Sequence, residues 1–218
     1  MIKHQLRPGP FMMRPKHWRE FDMTQEDICL ERNGKVAMVT IHRPQRRNAF
    51  NSHMFSELRK ITGELKKDLP RAVVITGEGD TAFSAGFDVN PDNTMVTSII
   101  DSVEKRDRAP AEKAIARLRK SVDDFVELPV PIIAALNGLA YGGGAELASR
   151  CDLRVMDPNA VICFSEVKLG LMPDWGGGAA LSHLIGASRA ADLILTARNV
   201  QADEALSLGL ANRLCRPG

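Results

Sequence analysis

Two glutamates and a run of glycines are the residues of this chain best suited to chemistry. The segment Asn137-Gly138-Leu139-Ala140-Tyr141-Gly142-Gly143-Gly144-Ala145-Glu146 leaves a predicted strand and enters a predicted helix. A helix N-terminus presents unpaired N–H groups and the positive end of the helix dipole, so it suits an oxyanion or a phosphate. The segment is not a dinucleotide fingerprint, because Leu147 stands where G-x-G-x-x-G needs its third glycine, and no Gly-Lys-Ser/Thr follows as in a P-loop. Three adjacent glycines are each worse than alanine by roughly 1 kcal/mol inside a helix, so either a ligand or helix–sheet packing must need the close backbone approach. Glu146 falls one turn into the helix, and Glu166 follows the strand-like run Val161–Phe164. Each also has a plain reading, as a carboxylate favoured by the helix dipole or as a surface glutamate. With an anion-holding backbone beside them, two carboxylates are the components of proton transfer next to a carbonyl. Asp174, in Met172-Pro173-Asp174-Trp175-Gly176-Gly177, adds a third acid whose simplest role is to cap the following helix. A second loop, Ala85-Gly86-Phe87-Asp88, follows a buried strand and reads either as a turn or as a place where backbone N–H groups meet a ligand.

The periodicity supplies elements to position these residues. Ile28–Arg32, an Asn33-Gly34 turn of positive φ and Val36–Ile41 read as a hairpin. Residues 51–67 place Met54, Leu58, Ile61 and Leu65 at helical spacing behind Asn51 or Ser52 as N-cap. Arg71–Thr76 and Val130–Leu136 are continuous apolar runs, the first expected as a strand buried on both faces. Residues 78–92 read as a loop, and 96–128 as helix broken in two by Pro110. A helix at Gly142–Arg150, strands at Leu153–Met156 and Val161–Phe164, and helices near 176–185, 188–197 and 201–208 follow. Strand and helix alternate, which predicts an α/β fold of parallel strands joined by helical crossovers. Residues 1–24 lack periodicity and are expected to be a poorly ordered leader ahead of one domain over 25–218.

Composition narrows the function classes. Lys and Arg (29) nearly balance Asp and Glu (27), so bulk electrostatics point to neither a nucleic-acid nor a membrane-surface partner. At 44% hydrophobic and 26% charged residues the chain is a folded protein rather than a disordered one, and no apolar run approaches the roughly 18–20 residues of a membrane span. Cys29, Cys151, Cys163 and Cys215 lie far apart, without zinc spacing, and three of them sit in apolar surroundings. Buried free thiols, and an N-terminus without the apolar core of a signal peptide, make the cytoplasm the expected compartment.

The motifs together are more specific than any one alone. Arg43-Pro44 with Asn48-Ala49, Ala82-Phe83-Ser84-Ala85-Gly86-Phe87-Asp88-Val89, Pro131 to Gly138, Gly142 to Glu146, Cys151-Asp152, Leu169-Gly170 with Pro173, and Ala205 with Gly209-Leu210 follow one another in order from about Ile28 to Leu214. In this order and spacing the chain resembles the crotonase family, the enoyl-CoA hydratase/isomerase superfamily. The resemblance implies the ClpP/crotonase spiral of ββα units, with parallel sheets flanked by helices. It implies an acyl-CoA substrate whose thioester oxygen lies between the backbone N–H groups of Phe87 and Gly143. Backbone at Ala85, Asp88, Val89 and Gly142 would meet the CoA portion. Glu146 and Glu166 would hold the water of a hydratase, with Glu166 delivering a proton to the α-carbon and Glu146 orienting and deprotonating the water.

Hydration of a 2-enoyl-CoA to a 3-hydroxyacyl-CoA is therefore the expected reaction, in fatty acid or related acyl-CoA breakdown, with no metal or resident cofactor. Asp174 keeps an enoyl-CoA isomerase open, and Trp175, bulkier than the residue of the best-known hydratases, points to a different acyl pocket. A catalytically silent acyl-CoA binding protein is a further alternative, resting on the family's usual C-terminal helices, which the expected domain lacks. The resemblance also implies a homotrimer or a hexamer.

Overall fold

The computed structural model describes residues 26–90 and 93–215. The expected leader and the Pro91-Asp92 end of the 78–92 segment lie outside the described residues. The chain starts with β1 (Ile28–Asn33) antiparallel to β2 (Val36–Ile41), with Asn33 opposite Val36. The two-residue turn is thus Gly34-Lys35, and the expected positive φ falls on Gly34 alone, at 58°. Helix α1 (Ser52–Lys67) begins where its N-cap predicts: Asn51 Oδ1 accepts from the Met54 N–H at 3.0 Å. Its spacing buries Met54, Leu58, Ile61 and Leu65, each burial worth about 1.5–3 kcal/mol.

Two sheets follow from one repeated path. Strands β3 (Ala72–Gly77), β5 (Ile132–Leu136) and β7 (Leu153–Met156) join β1, β2 and β10 (Arg213–Leu214) in a six-stranded sheet, parallel except for β1. Each of these three strands is followed by a short strand in a second sheet: β4 (Ala82–Ser84), β6 (Leu139–Tyr141) and β8 (Val161–Cys163), with β9 (Val200–Gln201) antiparallel on its edge. Helices then return the chain: α2 (Thr94–Glu104) and α3 (Ala109–Val126), α4 (Gly143–Arg150), and α5 (Gly177–Ile185) with α6 (Ala187–Thr196). Helix α7 (Ala202–Leu208) then leads into β10, the last described element. This is a spiral of ββα units, as the resemblance implies.

Several expectations change in detail. The 78–92 segment contains β4 and is not simply a loop. Strand β3 alternates buried and half-buried residues instead of being covered on both faces. Its Val73 and Ile75 join the core, while Thr76 on the other face donates its hydroxyl to the Ala135 carbonyl. Pro110 does not break a helix; it sits in the first turn of α3, where its missing N–H has no partner to lose. The break lies just before, where Arg106 has φ 52°.

Buried side-chain amides close the corner between the sheets. Asn137 Oδ1 accepts from the Gly77 N–H at 3.1 Å, and its Nδ2 donates to Gly79 O at 2.8 Å and Ala82 O at 3.2 Å. Asn48 Nδ2 donates to Glu78 O at 3.0 Å and to Ala82 O at 2.7 Å. Without them the corner's carbonyls would be buried and unpaired, at about 1–3 kcal/mol each. Arg154, 1% exposed, plays the same part at the C-terminal end of α4, donating to Cys151 O at 2.6 Å and to Leu210 O at 2.7 Å. Cys29, Cys151 and Cys163 are buried free thiols, and burial pushes Cys151 up to about 12, which leaves it unreactive. Among the described residues no helix is long and apolar enough to cross a membrane, and no group of three or more His, Cys, Asp or Glu is placed to hold a metal ion.

Candidate active site

The glycine run turns out to be demanded by packing. Gly142, the N-cap of α4, has φ 52° and ψ −125°, which a residue with a Cβ rarely adopts. A Cβ on Gly144 would lie 2.2 Å from Ser84 O, and one on Gly143 would lie 2.8 Å from the Trp175 ring. The backbone is thereby pressed against β4 and the 84–88 loop, and a Cβ on Gly86 would fall 2.7 Å from Gly143 N. Gly86 O accepts from the Phe50 N–H at 2.7 Å, so the N–H of the same peptide, that of Phe87, points the opposite way. Gly142 O likewise accepts from the Glu146 N–H at 3.0 Å, which turns the Gly143 N–H outward from the helix start. Neither N–H has an acceptor among the described residues. Two free donors from two loops in contact form a site for a developing oxyanion.

Asp88 secures the first loop. Its carboxylate accepts from Arg43 Nη1 at 2.6 Å and from the Asn90 N–H at 3.1 Å. Burial pushes this carboxyl up, but the Arg43 and Asn90 hydrogen bonds overcome that and hold it below its usual value. Its own N–H is bound to Phe50 O and the Ala85 N–H to Arg47 O, while Val89 lies exposed beyond them.

Glu146 and Glu166 meet on the other side of the α4 entrance. Glu146 is 1% exposed, and its Oε1 accepts from the Asp174 N–H at 3.1 Å and its Oε2 from the Gly177 N–H at 2.8 Å. Gly177 opens α5, so the cap of that helix is a side chain thirty-one residues upstream. The local Asp174 cap is therefore not formed: the N-cap position is Gly176, and Asp174 offers Glu146 its N–H instead of capping. Glu166 starts the short 3-10 turn Glu166–Leu169 and is no surface glutamate. Both its carboxyl oxygens are shielded from solvent, Glu146 is the side chain they interact with, and Oε1 would lie 3.8 Å from a Cβ on Gly142.

Burial raises all three acids. Glu146 is pushed up to about 8, with the charges of Glu166 and Asp174 adding to burial and the Gly177 N–H opposing it. Glu166 is raised by burial and by Asp174, and Asp174 by burial, against the pull of Arg119. Carboxylates this close do not all ionise at neutral pH; Glu146 and Glu166 titrate as a pair sharing a proton. Trp175, 3% exposed, lies over Gly143 with its ring edge-on to Phe50 (5.7 Å) and Phe55 (5.1 Å).

The fold thus assembles Phe87, Gly143, Glu146, Glu166, Asp174 and Trp175, with Ala85, Asp88, Val89 and Gly142 on the flanking loops. Sequence reasoning missed Arg150, which donates to Asp123 Oδ1 at 2.5 Å and to Trp175 O at 2.7 Å. The available signal was a lone cation ending an otherwise small and apolar helix.

A spiral of ββα units carrying two backbone donors beside a buried acid pair defines a class of proteins able to hold an oxyanion while moving a proton. The family described as Enoyl-CoA hydratase/isomerase matches residues 31–216, and the chain belongs to that family. The short-chain-enoyl-CoA hydratase of Clostridium acetobutylicum is 39% identical over 196 residues, 89% of this chain and 71% of that protein. The crystal structure of an enoyl-CoA hydratase from Bacillus anthracis superposes with a TM-score of 0.76 at 30% identity, covering 87% of this chain and 70% of that one. A Thermobifida fusca YX relative crystallised with acetoacetyl-CoA gives 0.73 at 37% identity, over 86% and 73% of the two chains.

Proposed function

We propose that this chain is an enoyl-CoA hydratase, adding water across a 2-enoyl-CoA to give a 3-hydroxyacyl-CoA. The observation that carries this reading is the buried Glu146–Glu166 pair beside the outward N–H groups of Phe87 and Gly143. The two N–H groups take the thioester oxygen, each worth roughly 2.7–4 kcal/mol to an oxyanion. Glu146, oriented by the Asp174 and Gly177 N–H groups, accepts a proton from water as its oxygen bonds to the β-carbon. The double-bond electrons move toward the thioester oxygen, and the enolate then takes a proton at the α-carbon from Glu166. The pair ends with its proton exchanged, and transfer from Glu146 to Glu166 restores it.

The thioester itself acidifies the α-position, so the reaction needs no metal, flavin or nicotinamide, and coenzyme A enters as part of the substrate. Backbone at Ala85, Asp88, Val89 and Gly142 meets the CoA portion. The exposed Leu169, Leu171, Met172 and Leu195 suit burial against further copies, in a homotrimer or hexamer of the 25–218 domain in the cytoplasm. Loss of the enoyl-thioester absorbance of crotonyl-CoA tests the activity. Asp174 favours a second reading, isomerisation, since its carboxyl faces the same pair. Turnover of a 3-enoyl-CoA without turnover of crotonyl-CoA would select it.

A further inference from the structure

Glu146 and Arg150 stand one turn apart on α4 and grip the same short turn, residues 174–177, from two sides. Glu146 takes the N–H groups of Asp174 and Gly177; Arg150 Nη1 takes the carbonyl between them, Trp175 O, at 2.7 Å. The guanidinium lies directly under the turn, where a Cβ on Gly176 would come within 3.1 Å of Nη1. Arg150 is in turn held from α3 by Asp123, at 2.5 Å, and the two side chains are only 15% and 30% exposed. Arg119 Nε adds a longer contact to Asp123 at 3.8 Å.

The geometry points to Arg150 and Asp123 as positioning residues: anchored on α3, they clamp the 174–177 turn so that its two N–H groups stay on the Glu146 carboxyl. The Trp175 ring anchors the turn against Phe50 and Phe55 and Gly177 packs on Glu146, while Glu146 and Arg150 hold its main chain. Gly176 has φ 89°, and α5 begins without a side-chain cap of its own. Release of Trp175 O would let the Asp174 and Gly177 donors move off the carboxyl together, because they belong to the same few residues. Trp175 would shift as well, and its ring packs on Gly143, so the clamp acts on both halves of the site.

The charged groups around Glu146 are Glu166 from the turn after β8, Asp174 from the clamped turn and Arg150 on its own helix, with Asp123 and Arg119 behind Arg150. Backbone donors favour the ionised carboxyl, so losing them raises the pH at which Glu146 gives up its proton. Asp123→Asn is the decisive variant, since electrostatics and positioning predict opposite signs for it. Removing a nearby negative charge lowers that pH, whereas loosening the clamp raises it. The measurement is infrared absorbance of the pair's protonated carboxyl across a pH titration, each protein read against the same chain carrying both Glu146→Gln and Glu166→Gln.

A rise in the pH at which the Glu146–Glu166 pair loses its last proton is expected in Asp123→Asn, and a larger one, about one pH unit, in Arg150→Met. A fall or no change in Asp123→Asn overturns the clamp even if Arg150→Met rises, because loss of the cation alone would cause that rise. If Arg150→Met does not fold, Asp123→Asn still decides. The consequence for turnover rests on the hydratase reading: Arg150→Met should lower kcat on crotonyl-CoA about tenfold with KM little changed. The infrared readout needs no turnover, so an inactive protein with a shifted midpoint would refute the hydratase reading and leave the clamp standing.

Discussion

The two halves of the site are built differently. The donor half, Phe87 and Gly143, is main chain, aimed by peptide planes whose carbonyls are already committed to Phe50 and Glu146. The acid half, Glu146, Glu166 and Asp174, is side chain, brought together by long-range contacts across α4, the turn after β8 and the approach to α5. The donors therefore cannot be removed without disturbing the fold, whereas the acids can be changed one atom at a time. Chemistry and stability should separate along that line.

The largest expected effect breaks the donor half. Gly144→Ala would place a Cβ 2.2 Å from Ser84 O, a backbone atom in β4, so neither partner can yield cheaply. The variant should lose cooperative thermal unfolding by circular dichroism; a melt like that of the unchanged chain would disprove the tight packing. Next come the acids. Glu146→Gln and Glu166→Gln should each lower kcat about 10²–10⁴-fold with crotonyl-CoA while leaving KM close to its starting value. Because the two act as a unit, the double variant should be little worse than the poorer single one, and multiplied losses would show that they work independently.

A smaller effect is the pH dependence. Glu146 is raised to about 8 and titrates together with Glu166, so the one proton the pair holds, which Glu166 must carry to the α-carbon, leaves as pH rises through that value. The α-carbon then has no donor, and kcat/KM should fall about tenfold per pH unit above it. A flat profile from pH 7 to about 10 would mean that the chemistry uses no proton from the pair. The smallest change is Asp174→Asn, which removes a carboxylate whose charge pushes both glutamates up. Hydratase activity should stay within a few-fold, with the alkaline limb moved down by less than about one pH unit. A loss as deep as that of Glu166→Gln would place Asp174 among the groups that move protons.

How much of this could be read from the chain depended on the range of the interaction. Asn51 capping α1, the hairpin, with its turn one residue later than Asn33-Gly34, and the glycine entrance to α4 are local, and they were legible from residue type and spacing. The second sheet was not, because β4, β6 and β9 are two or three residues long and carry no periodicity. The Asp174 cap failed for the opposite reason: the local rule was sound, but a residue on another helix supplied better-placed oxygens. Glu146 and Glu166 could be singled out by residue type beside the glycine run, but their meeting in space was available only through the family resemblance, since nothing between them in sequence shows that a spiral brings them face to face.

Arg154 adds a temporal consequence. It is a full positive charge inside the core, bonded to no carboxylate among the described residues and solvated instead by the carbonyls that end α4 and by Leu210 O, fifty-six residues later. A chain emerging from a ribosome at about 5–20 residues per second has Arg154 in hand for several seconds before Leu210 arrives. Until then the guanidinium keeps its water, and the C-terminal turn of α4 cannot seal. Synthesis of the helix that carries Glu146 thus precedes its closure, and a nascent chain halted between those two points should hold its α4 region open to proteases.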